Sequence, residues 1–241
     1  MIKHTLAESI EKLRKLNGGG EVEKTVHPVY PGLRKQKEPV KYVLTKSVLW
    51  KLFKFYSPKN YVVNKENEKI IFTVLRYFLK DENFNEFGKI KNTPNLDKGL
   101  LIYGPNGVGK SLLFDILKKV GKELITKKNC SDLWFNAISS GSFVDQYMRS
   151  AGDRENVEVF DIKTYYTGKL YIDDLGFEKK AFNKTELFGE ILFERNRDNA
   201  KTYATTNLKP SELTNKYGER IGDRLPEMSN IIEWNGESFR D

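Results

Sequence analysis

Residues 99–111, GLLIYGPNGVGKS, set an apolar run against a glycine-spaced turn that ends in a lysine and a hydroxyl. Leu100–Tyr103 reads as a strand, and KSLLFDILKKVGK after the turn reads as an amphipathic helix. Between them Gly104, Gly109, Lys110 and Ser111 satisfy the G-x-x-x-x-G-K-[ST] spacing in the strand-to-helix context that the motif requires. The turn Gly104, Pro105, Asn106, Gly107, Val108, Gly109, Lys110, Ser111 and Leu112 is therefore expected to hold a nucleotide. Glycines let successive backbone N–H groups point inward at phosphate oxygens, and the helix N-terminus adds partial positive charge. Lys110 is expected at the β and γ phosphates and Ser111 at Mg²⁺. The turn alone specifies nucleotide binding and no particular reaction.

Further along, KLYIDDLGFE (169–178) places the apolar strand Leu170, Tyr171, Ile172 ahead of two carboxylates, Asp173 and Asp174, the pattern of a Walker B strand. One carboxylate can hold Mg²⁺ or its waters while the other polarises an attacking water. The order usual in such ATPases gives the metal to Asp173 and the water to Asp174. In KTYATTNLKP (201–210) another strand ends in Thr205, Thr206 and Asn207. The Asn207 amide at a strand tip can hold the hydrolytic water, although Asn before a Pro-marked turn is also ordinary loop chemistry.

Apolar strands alternating with amphipathic helices mark a three-layered α/β domain with a mainly parallel sheet. Five strands are expected: Leu100–Tyr103, near Leu133–Ala137, Leu170–Ile172, Thr202–Thr205, and near Ile231–Trp234. Residues 99–241 are assigned to this domain and residues 1–98 to a smaller, mostly helical region. The first 98 residues carry 20 Lys and Arg against 11 Asp and Glu, a balance of +9, and the remainder carries −1. A basic region suits nucleic acid or an acidic protein surface, and equally a lysine-rich solvated face. Ile2, Leu6, Ile10, Leu13 and Leu16 form an amphipathic helix stopped by Gly18–Gly20, either a hook for a partner or a helix packed on its own domain. Two helices are expected between Thr45 and Asp81, the second starting near Asn64. Trp50, Phe53, Phe55 and Tyr56 among lysines are read as core in preference to a base-stacking surface.

One cysteine, Cys130, excludes an internal disulfide, and with His4 and His27 it cannot assemble a multi-ligand zinc site. No apolar run is long enough to cross a bilayer and no secretory signal is present, so a cytoplasmic protein is expected.

Taken in order, GPNGVGKS, LYIDDLG, ATTNL, YGERIGDRL and GESFR resemble the AAA+ ATPases of the initiator and helicase-loader branch, above all the bacterial replicative helicase loaders of the DnaC/DnaI type. Transposition helper ATPases of the IstB type share much of the pattern. The resemblance implies ATP and Mg²⁺ as ligands, with replicative helicase, single-stranded DNA and further copies of the chain as partners. It makes Asn207 the sensor 1 residue and Arg224 the arginine finger acting on a neighbour's nucleotide, with Arg220 as competitor. Arg240 matches the sensor 2 arginine, and the chain stops after GESFRD, so no full helical lid is expected. Asn136 would couple the acidic pair to bound ligand, and Arg149, Arg154 and Lys163 would contact DNA phosphates. The resulting expectation is a helicase loader that hydrolyses ATP at subunit interfaces, with a duplex-binding transposition helper and a non-hydrolysing, nucleotide-switched adaptor as alternatives.

Overall fold

The computed structural model describes residues 42–152 and 160–238. The helix expected at residues 2–16, Arg154 and Arg240 lie outside them. Two helices come first, α1 (Lys46–Tyr56) and α2 (Glu68–Phe78). Thr45 caps α1 by accepting from the Val48 N–H. Parallel strands then alternate with helices: β1 (Gly99–Tyr103), α3 (Lys110–Lys128), β2 (Asn136–Ser139), α4 (Ser140–Gly152), β3 (Leu170–Asp173), α5 (Leu187–Arg197) and β4 (Thr202–Thr206). The short helices α6 (Pro210–Tyr217), α7 (Glu219–Gly222) and α8 (Leu225–Met228) lead into β5 (Ser229–Glu233).

The sheet order is β2-β3-β4-β1-β5, every pairing parallel. Successive strand residues face opposite sides, and this alternation builds the layers. Leu100, Ile102, Tyr171, Tyr203 and Ile232 turn toward one core with α1, α2 and α3. Leu101, Leu170, Ile172, Ala204 and Ile231 turn toward a second core with α4, α5 and the helices before β5. The registers Tyr103↔Thr206 and Ser139↔Asp173 bring the turns after β1, β2, β3 and β4 to the same edge of the sheet. Ligands of open parallel sheets bind at this carboxyl edge.

Two expectations change. The boundary at residues 98/99 does not match the packing: Leu49 and Phe53 of α1 and Ile71, Val74 and Phe78 of α2 are buried in the core that holds Phe114, Phe135 and Tyr203. One compact unit runs from Lys41 onward. The apolar faces of α1 and α2 cover one side of the sheet, so this part of the basic region belongs to the α/β unit. The second strand also starts later than expected. Trp134 donates its N–H to the Ser131 carbonyl in a turn, which delays pairing until Asn136. Of the early aromatics Phe53 is core, whereas Phe55 is 76% exposed.

At the opposite edge from the functional turns, the fully buried Arg195 ties chain segments together. Its guanidinium donates to the carbonyls of Tyr165, Thr167, Gly168 and Lys201 and to Thr202 Oγ1, at 2.6–3.1 Å. Burial lowers its pKa to about 10, still high enough to keep it charged at neutral pH. No helix among the described residues is long and apolar enough to cross a membrane.

Candidate active site

The glycine turn follows β1 and opens α3. Gly107 and Gly109 have φ of 83° and 98°, the left-handed region that glycine enters without a Cβ clash. Space also restricts Gly104 and Gly107: a Cβ on Gly104 would lie 2.0 Å from the Trp234 carbonyl oxygen, and one on Gly107 would lie 2.2 Å from Ser238 Oγ. The chain after β5 thus packs on the turn, anchored by the Trp234 N–H donating to the Tyr103 carbonyl. Val108 is buried in the core on the helical side.

Lys110 is buried, and its Nζ donates to the carbonyls of Gly104 (2.8 Å) and Pro105 (2.7 Å) and to Asn207 Oδ1 (2.9 Å). The motif lysine and the strand-tip amide, 97 residues apart in sequence, therefore meet directly. A cavity of about 180 Å³ is lined by Asn106, Gly107, Gly109, Lys110, Ser111, Leu112, Asp174 and Asn207, and also by Asn60 and Tyr61 from the segment between α1 and α2. Its donor set suits an anion, because backbone amides, an ammonium, a hydroxyl and a carboxamide converge there.

Asp173 ends β3. Its Oδ1 accepts from the hydroxyls of Tyr171 and Thr205, each at 2.7 Å. Asp174 follows with φ of 52°, an uncommon conformation that short polar side chains tolerate. Ser140 Oγ donates to the Asp174 carbonyl at 2.6 Å, while the Asp174 N–H points at Thr205 Oγ1 at 3.4 Å. Gly104–Leu112, Asp173, Asp174 and Asn207 are thus brought to adjoining strand tips. A further carboxyl, Asp115 on α3, has its pKa raised first by burial and second by the charge of Asp173.

Asn136 does not join this group. It begins β2 opposite Leu170, at the far end of the strand from Asp173. The residue from this part of the chain that touches the acidic pair is Ser140, which follows the tip of β2. The error has a simple cause: the strand starts later than its apolar pattern suggests, so Asn136 falls at its beginning. Arg220 and Arg224 sit on the ring of Phe193 from α5, with guanidinium carbons 3.7 and 5.3 Å from the centroid. Arg224 Nη1 also donates to the Arg220 carbonyl at 2.8 Å. Arg149 lies in the last turn of α4 and Lys163 in the one-turn helix Ile162–Tyr165.

Sequence reasoning passed over Tyr171, Ser140, Asn60 and Tyr61. A signal was present for Tyr171: a hydroxyl-bearing residue two positions before Asp173 shares its strand face.

No family model matches the chain. It is 28% identical over 173 residues to the replicative helicase loader DnaI of Bacillus subtilis (strain 168), a match covering 66% of this chain and 53% of that protein. The chain thus spans about half the length of that curated relative. Among solved structures, a crystal structure of the DnaC helicase loader is covered in full by 79% of this chain, at 21% identity and a TM-score of 0.51. A crystal structure of DnaI matches over 75% of this chain and 87% of its own length, at 22% identity and a TM-score of 0.47. At such identities a structural likeness speaks for the fold, and the DnaC match agrees with the parallel sheet described above. In its ordered motifs and its sequence the chain is thus similar to helicase loaders of the DnaC/DnaI type, and the DnaC match supports an AAA+-like fold.

Proposed function

We propose that the chain is an ATP-dependent loader of a replicative DNA helicase, binding Mg-ATP and single-stranded DNA and hydrolysing ATP at junctions between its own copies. The observation that carries this reading is the convergence of Lys110, Ser111, Asp174 and Asn207 on one small cavity, with Asp173 held beside it. The residues fit a magnesium nucleotide: a cradle where any Cβ would collide at Gly104 and Gly107, a buried ammonium, and a hydroxyl and a carboxylate of the kind that bind hard cations.

In this reading the backbone N–H groups of the turn and Lys110 bind the phosphates, the ammonium exchanging the Gly104 and Pro105 carbonyls for phosphate oxygens. Ser111 and Asp173 hold Mg²⁺, which neutralises charge on the phosphates when bound. Asp174 takes the proton of the attacking water, and Asn207, already tied to Lys110, orients that water. Arg224, or Arg220 beside it, completes the site of a neighbouring copy by neutralising transition-state charge. The support for action in trans is that both arginines are seated on Phe193, and that Arg224's bond to the Arg220 carbonyl keeps it on its own helical segment. Arg240, outside the described residues, is assigned to the nucleotide by its motif alone.

Single-stranded DNA is assigned to the sequence segment 139–169, which carries Arg149, Arg154 and Lys163. The helicase is assigned to residues 1–40, which precede the compact unit. The setting proposed is the cytoplasm.

Full-length chain mixed with the replicative helicase of the same cell, with ATP, should co-purify with it and place it on closed circular single-stranded DNA. No association at low salt would overturn the loader role. Asp174→Asn should lower ATP turnover at least about 100-fold with nucleotide binding retained. If the unaltered chain binds ATP but hydrolyses none with any DNA or partner, it is a nucleotide-switched adaptor.

A further inference from the structure

Tyr171 carries a phenol into the interior beside the acidic pair. The residue is 3% exposed, and its ring stacks on Phe114 of α3 with centroids 4.2 Å apart and planes 12° apart. Its oxygen lies 2.7 Å from Asp173 Oδ1 and 2.9 Å from Thr205 Oγ1, and Thr205 Oγ1 is itself 2.7 Å from the same carboxylate oxygen. Three oxygens in a triangle share two hydroxyl protons, and an ionised carboxylate can only accept. The two hydroxyls therefore fix Oδ1 from the protein side, which leaves Oδ2 for a cation.

Packing alone does not account for this arrangement. Phenylalanine would stack on Phe114 equally well, and a buried hydroxyl that had no partner would be a cost. The hydroxyl instead finds the one carboxylate assigned to the metal, while Thr205 reaches the same oxygen from the neighbouring strand β4. Such outer-shell hydrogen bonds set the direction of a metal-binding carboxylate.

We propose that Tyr171 is a positioning residue, whose phenol together with the Thr205 hydroxyl aims the Asp173 carboxylate at the divalent cation of the bound nucleotide. This rests on the reading of Asp173 as the metal carboxylate. Tyr171 acts through Asp173, the carboxylate that its phenol contacts. Its loss affects the cation and spares nucleotide contacts that need no metal.

The test uses full-length protein and fluorescent N-methylanthraniloyl-ADP, titrated in EDTA and then with rising Mg²⁺. Mn²⁺ binding to the ADP-loaded protein is followed in parallel by electron paramagnetic resonance. For Tyr171→Phe the Mg²⁺ concentration giving half of the affinity gain should rise about tenfold, with weaker Mn²⁺ binding and unchanged affinity in EDTA. Thr205→Val should shift the same curve in the same direction, which keeps the test open should one variant fail to fold. Asp173→Asn should shift it furthest. A wild-type Mg²⁺ curve for Tyr171→Phe and Thr205→Val, with Asp173→Asn defective, overturns the positioning role and leaves the site reading intact. A wild-type curve for Asp173→Asn overturns the site reading and the inference with it.

Discussion

Lys110 and Arg195 are both buried cations, and their partners separate their roles. Lys110 faces a cavity and holds two carbonyls of its own loop and one side-chain amide, acceptors that an anionic ligand can replace. Arg195 is held by four carbonyls and a hydroxyl from strand ends and the segment before β3. Lys110→Ala should therefore weaken binding of a fluorescent ATP analogue at least about tenfold, the loss of one charge-assisted contact, with the urea midpoint little changed. Arg195→Met should do the reverse, costing roughly 3 kcal/mol or more in urea unfolding because several buried carbonyls lose their donor. Only the role proposed for Lys110 was suggested by the sequence. Lys110 stands in a spacing whose physical purpose is known, whereas Arg195 sits in ERNRDN, a charged run that reads as a solvated helix face. Burial of that arginine depends on where the segment before β3 crosses the sheet, and no local pattern encodes it.

At the scale of elements, β1, β3 and β4 were legible because each is an apolar run ending in chemistry-bearing residues. The late start of β2 was not, since Leu133 and Phe135 are buried before strand pairing begins. Helices α1 and α2 were visible as helices, but an amphipathic face does not state what it packs on. Their junction carries an ionic cluster in which Asp81 accepts from Lys46 Nζ at 2.7 Å and Arg76 Nε at 2.9 Å. Lys46 and Arg76, with the Asn83 backbone N–H, hold the Asp81 carboxyl at a pKa of about 2, against an ordinary 3.8. A depressed carboxylate pKa adds stability above the unfolded value, and this is lost as pH falls through the folded one. Asp81→Asn should accordingly lower the denaturation midpoint at pH 6, with the gap from wild type closing between about pH 4 and pH 2. A gap that persists unchanged at pH 2 would show that the ion cluster does not carry this contribution.

For the whole molecule, the charge division seen in the sequence takes on a different meaning in the fold. Part of the basic region covers the sheet as α1 and α2, so the segment proposed for a partner shortens to residues 1–40. The proposed nucleotide site draws on three neighbouring strand tips, and the proposed catalytic arginines are seated on Phe193, outside the residues that line it. On the proposed reading such a site works only when copies assemble, and complementation between two inactive variants tests that most directly. Asp174→Asn leaves the arginines intact, and the double variant Arg220→Ala/Arg224→Ala leaves Asp174 intact. With single-stranded DNA and ATP, each alone should be nearly inactive, while an equimolar mixture should regain a measurable part of the wild-type ATPase rate. A mixture as inactive as its two components, with both still binding ATP, would contradict a catalytic site shared between subunits.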